Sequence, residues 1–172
     1  MAPLAESSAL PVYNVALSLL PSLPVVELGC GTGRFAEMIK LRKQHYHGFD
    51  FAPAVIAEAR SYQPGLRFEV ADVRQWEHGP DLPAECCYVL LEVLEHLDDD
   101  RDALMRIPPG LPVVFSVPNF WSASHVRRYL QPRDVFDRYG DLLDFNAWQS
   151  VPFDMLGRRI HVFRAHTRAE RL

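Results

Sequence analysis

Residues 25–33 read VVELGCGTG, a run of strand-forming residues that passes directly into glycines at positions 29, 31 and 33. A chain without side chains at every second position is a poor strand and a poor helix, so it must turn sharply here. The helical pattern RFAEMIKLRK follows at once, which makes the unit strand, tight turn, helix. That unit constrains the rest of the fold. Its helix has to cross back over a sheet, and its turn leaves backbone N–H groups facing outward with no Cβ to shield them from a ligand.

The downstream sequence repeats the rhythm. YHGFD precedes APAVIAEARSYQ, LRFEVAD precedes a polar stretch, CCYVLL precedes DRDALMRI, and PVVFSV follows a PPG turn. Ahead of the glycine run, VYNVALSLL places Val12, Val15, Ala16 and Leu19 at helical spacing and stops at Pro21, which predicts a leading helix over residues 12–20. Strands alternating with helices predict a doubly wound, parallel α/β sheet with helices on both faces. After Pro118 a basic, aromatic segment intervenes, and RIHVFRAHT alternates like a strand at Ile160, Val162 and Phe163, so an antiparallel C-terminal hairpin is expected. Residues 1–24 read as a tail plus the leading helix, and residues 25–172 as a single domain. The polar end TRAERL reads as a loose tail or an edge cap.

Composition narrows the partners. With 172 residues, 48% of them hydrophobic, the chain has material for one core. A net charge of -4, from Lys+Arg 18 against Asp+Glu 22, gives no basic footprint for nucleic acid. Cys30, Cys86 and Cys87 make a poor disulfide framework and suit a reducing compartment. No apolar run approaches the ~20 residues of a membrane span, and MAPLAESSALPVYN lacks a basic region followed by an apolar core. A cytoplasmic protein without a membrane partner is expected.

The spacing of the glycines bears on the ligand. G-x-G-x-G puts Arg34 where a dinucleotide fingerprint has its last glycine, which points away from a nicotinamide cofactor. Asp50 ends the next strand, 19 residues after Gly31, close to the ~20-residue offset at which an acid accepts ribose hydroxyls. Asp72 ends the third strand, where it can accept from the exocyclic amine of an adenine. Ligands of open α/β sheets bind beyond the carboxyl ends of the strands, so Glu27, Gly29, Asp50, Asp72 and Glu92 are expected to face one crevice. One such acid alone reads as a helix cap or a surface group; a series at successive strand ends reads as a site.

ELGCGTGRFA, GFD, VADV and LLEVLEHL followed by FSVPN resemble the successive motifs of the class I S-adenosylmethionine-dependent methyltransferases, over roughly residues 25–119. SVPN followed by an aromatic, Arg-containing segment is similar to the small bacterial MetW-like members. The resemblance implies a Rossmann-like seven-stranded sheet whose last hairpin is antiparallel. It implies S-adenosylmethionine as cofactor and S-adenosylhomocysteine as product. Glu27, Gly29, Cys30, Gly31 and Gly33 would then cradle the methionine part, Asp50 the ribose and Asp72 the adenine, with Phe51 and Val73 flanking the ring. Glu92 would lie near the methionine moiety or the acceptor. Two departures stand out: Cys86 and Cys87 occupy a place where an Asp is frequent, and DFNAWQSVPF replaces a His-Leu-Arg-Phe-Phe-like segment.

Methyl transfer from a sulfonium is an in-line displacement that needs alignment and water exclusion but no enzyme nucleophile. His96, after the fourth strand, is the candidate general base for a hydroxyl acceptor, with Glu92 beside it; the competing reading is a histidine that only stabilises its turn. Glu92, Glu95 and His96 have i, i+3, i+4 spacing, which on a helical turn would place them on one face, where they could hold a divalent metal. A related cluster with a further histidine occurs in methyltransferases that modify the 3′ end of small RNAs, and His125 would be that ligand. EVLEHL is also widespread in methyltransferases without metal, so the preferred reading assigns none. Trp121, Arg127 and Arg128 are candidate acceptor contacts for an anionic, aromatic substrate, against the alternative of an amphipathic helix packed on the sheet. The expected function is methylation of a small molecule, at oxygen before nitrogen or carbon, by a monomer or homodimer. The alternatives are a metal-assisted RNA methyltransferase and a non-catalytic S-adenosylmethionine-binding protein.

Overall fold

The computed structural model describes residues 7–169. Its elements run α1 (Leu10–Leu19), β1 (Val25–Leu28), α2 (Arg34–Leu41), β2 (Tyr46–Asp50), α3 (Pro53–Tyr62), β3 (Arg67–Val70) and β4 (Cys87–Leu91). A 3-10 turn (Leu94–His96), α4 (Asp100–Met105), β5 (Pro112–Pro118), α5 (Pro132–Tyr139), β6 (Leu143–Pro152) and β7 (Arg159–Thr167) complete it. The strands form one seven-stranded sheet in the order β3-β2-β1-β4-β5-β7-β6. Strands β1 to β5 pair in parallel, and β7 runs antiparallel to both β5 and β6. The doubly wound α/β sheet with a terminal hairpin is as expected. Residues 1–6 and 170–172, which include parts of the tail and of TRAERL, lie outside the described residues.

The order in which successive strands are added reverses between the parallel neighbours β1 and β4, and this switch point opens a crevice at the carboxyl edge. β1, β4 and β5 are buried along their whole length, which is why VVEL, CYVLL and PVVFSVP carry almost no alternation. Their side chains divide between two core layers. Val26, Tyr88, Leu90 and Phe115 fall in the layer with Val135 and Tyr139 of α5, whereas Val25, Cys87, Val89 and Val114 fall in the layer with α1, α2 and α3. Cys86 and Cys87, both without exposed surface, fall into opposite layers and serve as small apolar packing groups. Burial pushes the Cys87 thiol up to about 12, so it stays protonated.

The segment after Pro118 departs from expectation. Residues 119–131 form no helix, and DFNAWQSVP lies within the edge strand β6. The edge is interrupted by a bulge between Phe145 and Ala147, a device that blunts strand addition. The irregular segment is held by Asp100 at the start of α4. This buried carboxylate accepts from Arg138 Nε at 2.7 Å and Nη2 at 2.6 Å, from the Tyr139 hydroxyl, and from Tyr129 at 3.3 Å. Arg127 Nη1 stands 3.3 Å away. Burial alone would raise this carboxyl; the bonds from Arg138 and Tyr139 and the charges of Arg127 and Arg138 outweigh it and hold Asp100 below the ordinary range. Asp100→Ala leaves two arginines facing each other without their counter-charge, and a loss of about 3–5 kcal/mol in urea unfolding is expected. A loss under about 1 kcal/mol, the worth of a surface pair, would contradict that role.

Candidate active site

The glycine loop is held from both sides. Gly29 and Cys30 both donate their N–H to Phe49 O, at 2.7 and 2.9 Å, so the turn is hung on the end of β2. Gly29 has φ +79°, and a Cβ there would lie 2.5 Å from Val93 Cγ2, so the β1 turn and the turn after β4 touch through a missing side chain. Gly31, at φ +53°, has no atom within 4 Å of where its Cβ would be. That open space is where a ligand can lie against the backbone. Gly33 closes the loop immediately before α2.

Asp50 joins the loop to the second crossover. Its Oδ2 accepts from Gly31 N at 3.1 Å and its Oδ1 from Ala52 N at 3.0 Å. Both carboxylate oxygens are thereby fixed, and each keeps a free lone pair toward a cleft of about 520 Å³ that Asp50 lines. Gly29, Phe51, Asp72, Val73, Glu92 and His96 line the same cleft. Phe51 is 71% exposed, a large aromatic left uncovered on the cleft wall, as a base-stacking surface requires.

Three expectations change. The single crevice is two hollows that meet at Gly29: Glu27, Cys30 and Gly31 line a second one of about 230 Å³ with Tyr13, Thr32 and Arg34. Glu27 itself is buried under the loop, where the Tyr46 hydroxyl donates to its Oε2. Asp72 lines the cleft already paired to a guanidinium. Arg74 holds it through Nε at 3.0 Å and Nη2 at 2.5 Å, with the Arg74 N–H at 2.9 Å, and these bonds keep its carboxyl below the ordinary range. Arg127 stands apart from the Asp50 cleft, on the groove that Trp121 and Arg128 also line. It donates to Leu94 O at 2.9 Å, to Leu97 O and to Asp98 O at 3.0 Å, and so braces the 3-10 turn. Trp121 and Arg128 pair with each other, 5.5 Å from guanidinium carbon to ring centre, on that open groove.

Glu92, the first residue after β4, has φ +55°, a conformation that a side-chain-bearing residue adopts only when its surroundings impose it. Ser116 imposes it: Glu92 N–H donates to Ser116 Oγ at 2.9 Å, and the Ser116 hydroxyl donates to Glu92 Oε1 at 2.6 Å. Burial pushes the Glu92 carboxyl up to about 7, against the pull of the Ser116 bond. The 3-10 turn begins only at Leu94, so Glu92 is not on one helical face with Glu95 and His96. His96 stands at the cleft rim with Nδ1 3.0 Å from Ser124 O. Ser116, Tyr46 and Arg74 were not legible as site residues, because a serine inside PVVFSV or a tyrosine opening YHGFD reads as ordinary strand.

Residues 25–107 match the family model described as a methyltransferase domain. That match spans just under half of the chain and covers the strands and turns that line the cleft. It is 39% identical over 124 residues to trans-aconitate 2-methyltransferase of Escherichia coli (strain 55989 / EAEC), a match covering 64% of this chain and 48% of that protein. The chain thus spans about half the length of such relatives, and in others the match covers only 28% of the relative. Among solved structures, 1,6-didemethyltoxoflavin-N1-methyltransferase of Burkholderia thailandensis, bound to its substrate and S-adenosylhomocysteine, superposes with TM-score 0.74 at 17% identity, covering 95% of this chain and 79% of that one. The N-methyltransferase NodS of Bradyrhizobium japonicum, with S-adenosylhomocysteine, gives 0.69 at 20% identity, over 92% of this chain and 86% of that one. The domain's fold is that of the S-adenosylmethionine-dependent methyltransferases. Among the described residues, no helix is long and apolar enough to cross a membrane.

Burial of Glu27 has a measurable consequence. It pushes the carboxyl up to about 8, with the Tyr46 bond opposing and the charge of Asp50 adding to the rise. The folded domain therefore holds one proton more at Glu27 than the unfolded chain between about pH 4.5 and 8. This contribution to stability is full below about pH 4.5 and is lost as pH rises to about 8, at up to about 1.4 kcal/mol per pH unit. Urea unfolding across that window is expected to show a smaller fall in Glu27→Gln than in the natural chain; equal slopes would contradict the buried, protonated Glu27.

Proposed function

We propose that the chain transfers a methyl group from S-adenosylmethionine to an oxygen of a small-molecule acceptor. The observation that carries the reading is the pairing of the open cradle over Gly31 with the fixed Asp50 carboxylate beside an uncovered Phe51. An adenosyl cofactor fits this set: the ribose hydroxyls donate to the lone pairs Asp50 keeps free, and the base stacks on Phe51 next to Val73. Arg74 neutralises Asp72, which leaves that carboxylate a rigid hydrogen-bond acceptor rather than a second free charge. The glycine loop and the hollow that Glu27 lines would hold the amino-acid end.

When bound, the cofactor supplies an electrophilic methyl carbon on a sulfonium. The chain's own residues do the rest: they hold the donor against the loop, exclude water at the β1–β4 switch point, and line the open side of the cleft with Glu92 and His96. His96 donates its Nδ1–H to Ser124 O, so Nε2 carries the lone pair that can take a proton from an acceptor hydroxyl. For an acceptor that is already a carboxylate no base is needed. Similarity to a methyltransferase named for trans-aconitate, a carboxylic acid, supports that acceptor class. The net charge of -4 and the arginines already bound to carboxylates speak against a nucleic-acid acceptor.

Asp50→Ala is expected to weaken S-adenosylhomocysteine binding by about 1–3 kcal/mol, roughly 5- to 150-fold, with the circular dichroism of the fold retained. Unchanged affinity would mean that the ribose sits elsewhere. Incubating the protein with methyl-labelled S-adenosylmethionine and a panel of di- and tricarboxylic acids is expected to give at least one labelled ester. Tight cofactor binding with no transfer to any carboxylic acid or alcohol would favour a binding protein over an enzyme.

A further inference from the structure

Glu95 lies beside the cleft without any exposed surface, and neither of its carboxylate oxygens has a hydrogen-bond partner among the described residues. A carboxylate in that state is costly unless something electropositive meets it. Two imidazoles do lie against it. His96 Nε2 is 3.8 Å from Glu95 Oε1, and the His96 and His125 rings stand 4.9 Å apart, edge to face. One oxygen of Glu95 and one nitrogen each of His96 and His125 all lie within 4.8 Å of one another.

The orientation of both rings is set from behind. His96 Nδ1 lies 3.0 Å from Ser124 O and His125 Nδ1 lies 3.1 Å from Phe120 O. A carbonyl only accepts, so each Nδ1 carries the hydrogen and each Nε2 presents a lone pair. Imidazoles bound to a metal are held in this way, with the far nitrogen donating to a carbonyl or carboxylate. The two chain segments are also strapped together: Val126 N–H donates to Glu95 O at 2.9 Å, and Arg127 ties into the carbonyls of the 3-10 turn. The cluster is therefore prearranged before any ligand arrives.

We propose that Glu95, His96 and His125 form a binding site for a divalent transition metal of the zinc type at the His96 end of the cleft. Two imidazole nitrogens and one carboxylate oxygen are a donor set that zinc and cobalt accept, and three protein ligands leave a fourth position for water or an oxygen of a bound molecule. Glu92 lies outside this group, with its Oε1 taken by the Ser116 hydroxyl. A metal here would occupy the His96 Nε2 lone pair that a hydroxyl acceptor would need as base, whereas a carboxylate acceptor needs no base; the site stands whether or not the methyl-transfer reading does.

The test is a titration of the metal-stripped full chain with zinc chloride by calorimetry, and with cobalt chloride by visible absorption. One equivalent of zinc is expected to bind in the micromolar range or tighter, and cobalt to give the intense bands of a four-coordinate site. Glu95→Gln, which keeps the side-chain shape, and His125→Ala, at a partly exposed position, are each expected to weaken zinc binding on the order of 100-fold or more. S-adenosylhomocysteine binding, measured in parallel on the same variants, reports whether each remains folded and is expected to be unchanged. Absence of zinc binding by the natural chain would overturn the proposal. So would binding that both folded variants retain in full.

Discussion

The carboxylate of Asp50 is the constraint on which the site depends. One oxygen takes the N–H of Gly31 and the other that of Ala52, so a single side chain at the end of β2 fixes the turn after β1 and the turn after β2 together. Neither turn can move without breaking a charge-assisted hydrogen bond. The Phe49 carbonyl repeats the link from the backbone by taking the N–H groups of Gly29 and Cys30. A ligand therefore meets a surface already shaped, and little ordering entropy is spent on forming it.

The sheet explains why that surface lies where it does. β1 and β4 are neighbours but their crossovers leave in opposite directions, so their carboxyl ends cannot both be covered. Gly29 lets Val93 come in close from the β4 side, and the strained backbone of Glu92 is held by Ser116 on β5. Three adjacent parallel strands thus each contribute one fixed feature to the same edge. The fully buried strands behind them supply the rigidity, since Val26, Leu90 and Phe115 pack with no exposed surface to speak of.

What the sequence made legible is what local chemistry dictates. Glycines at 29, 31 and 33 after VVEL could only be a tight strand-to-helix turn, and Asp50 at the end of YHGFD could be placed at the same sheet edge by counting strands. The terminal hairpin followed from the alternation in RIHVFRAHT. Long-range pairings were not legible. Arg127 looked like a substrate contact because it neighbours Trp121 and Arg128, yet its guanidinium closes the carbonyls of a turn about thirty residues away, as the 30-residue separation from Leu97 shows. The amphipathic helix weighed for SVPNFWSASHVRRYL does not form: buried Asp100 captures Tyr129 and Arg127, and such tertiary contacts override local helical preference. Asp72 lines the cleft, but its partner, Arg74, two residues on, was passed over.

The most direct test of the account is a calorimetric titration of the natural chain with S-adenosylhomocysteine, run beside one with NADH. Binding of S-adenosylhomocysteine at one equivalent, with no heat from NADH, is the predicted result. Binding of NADH and none of S-adenosylhomocysteine would contradict it.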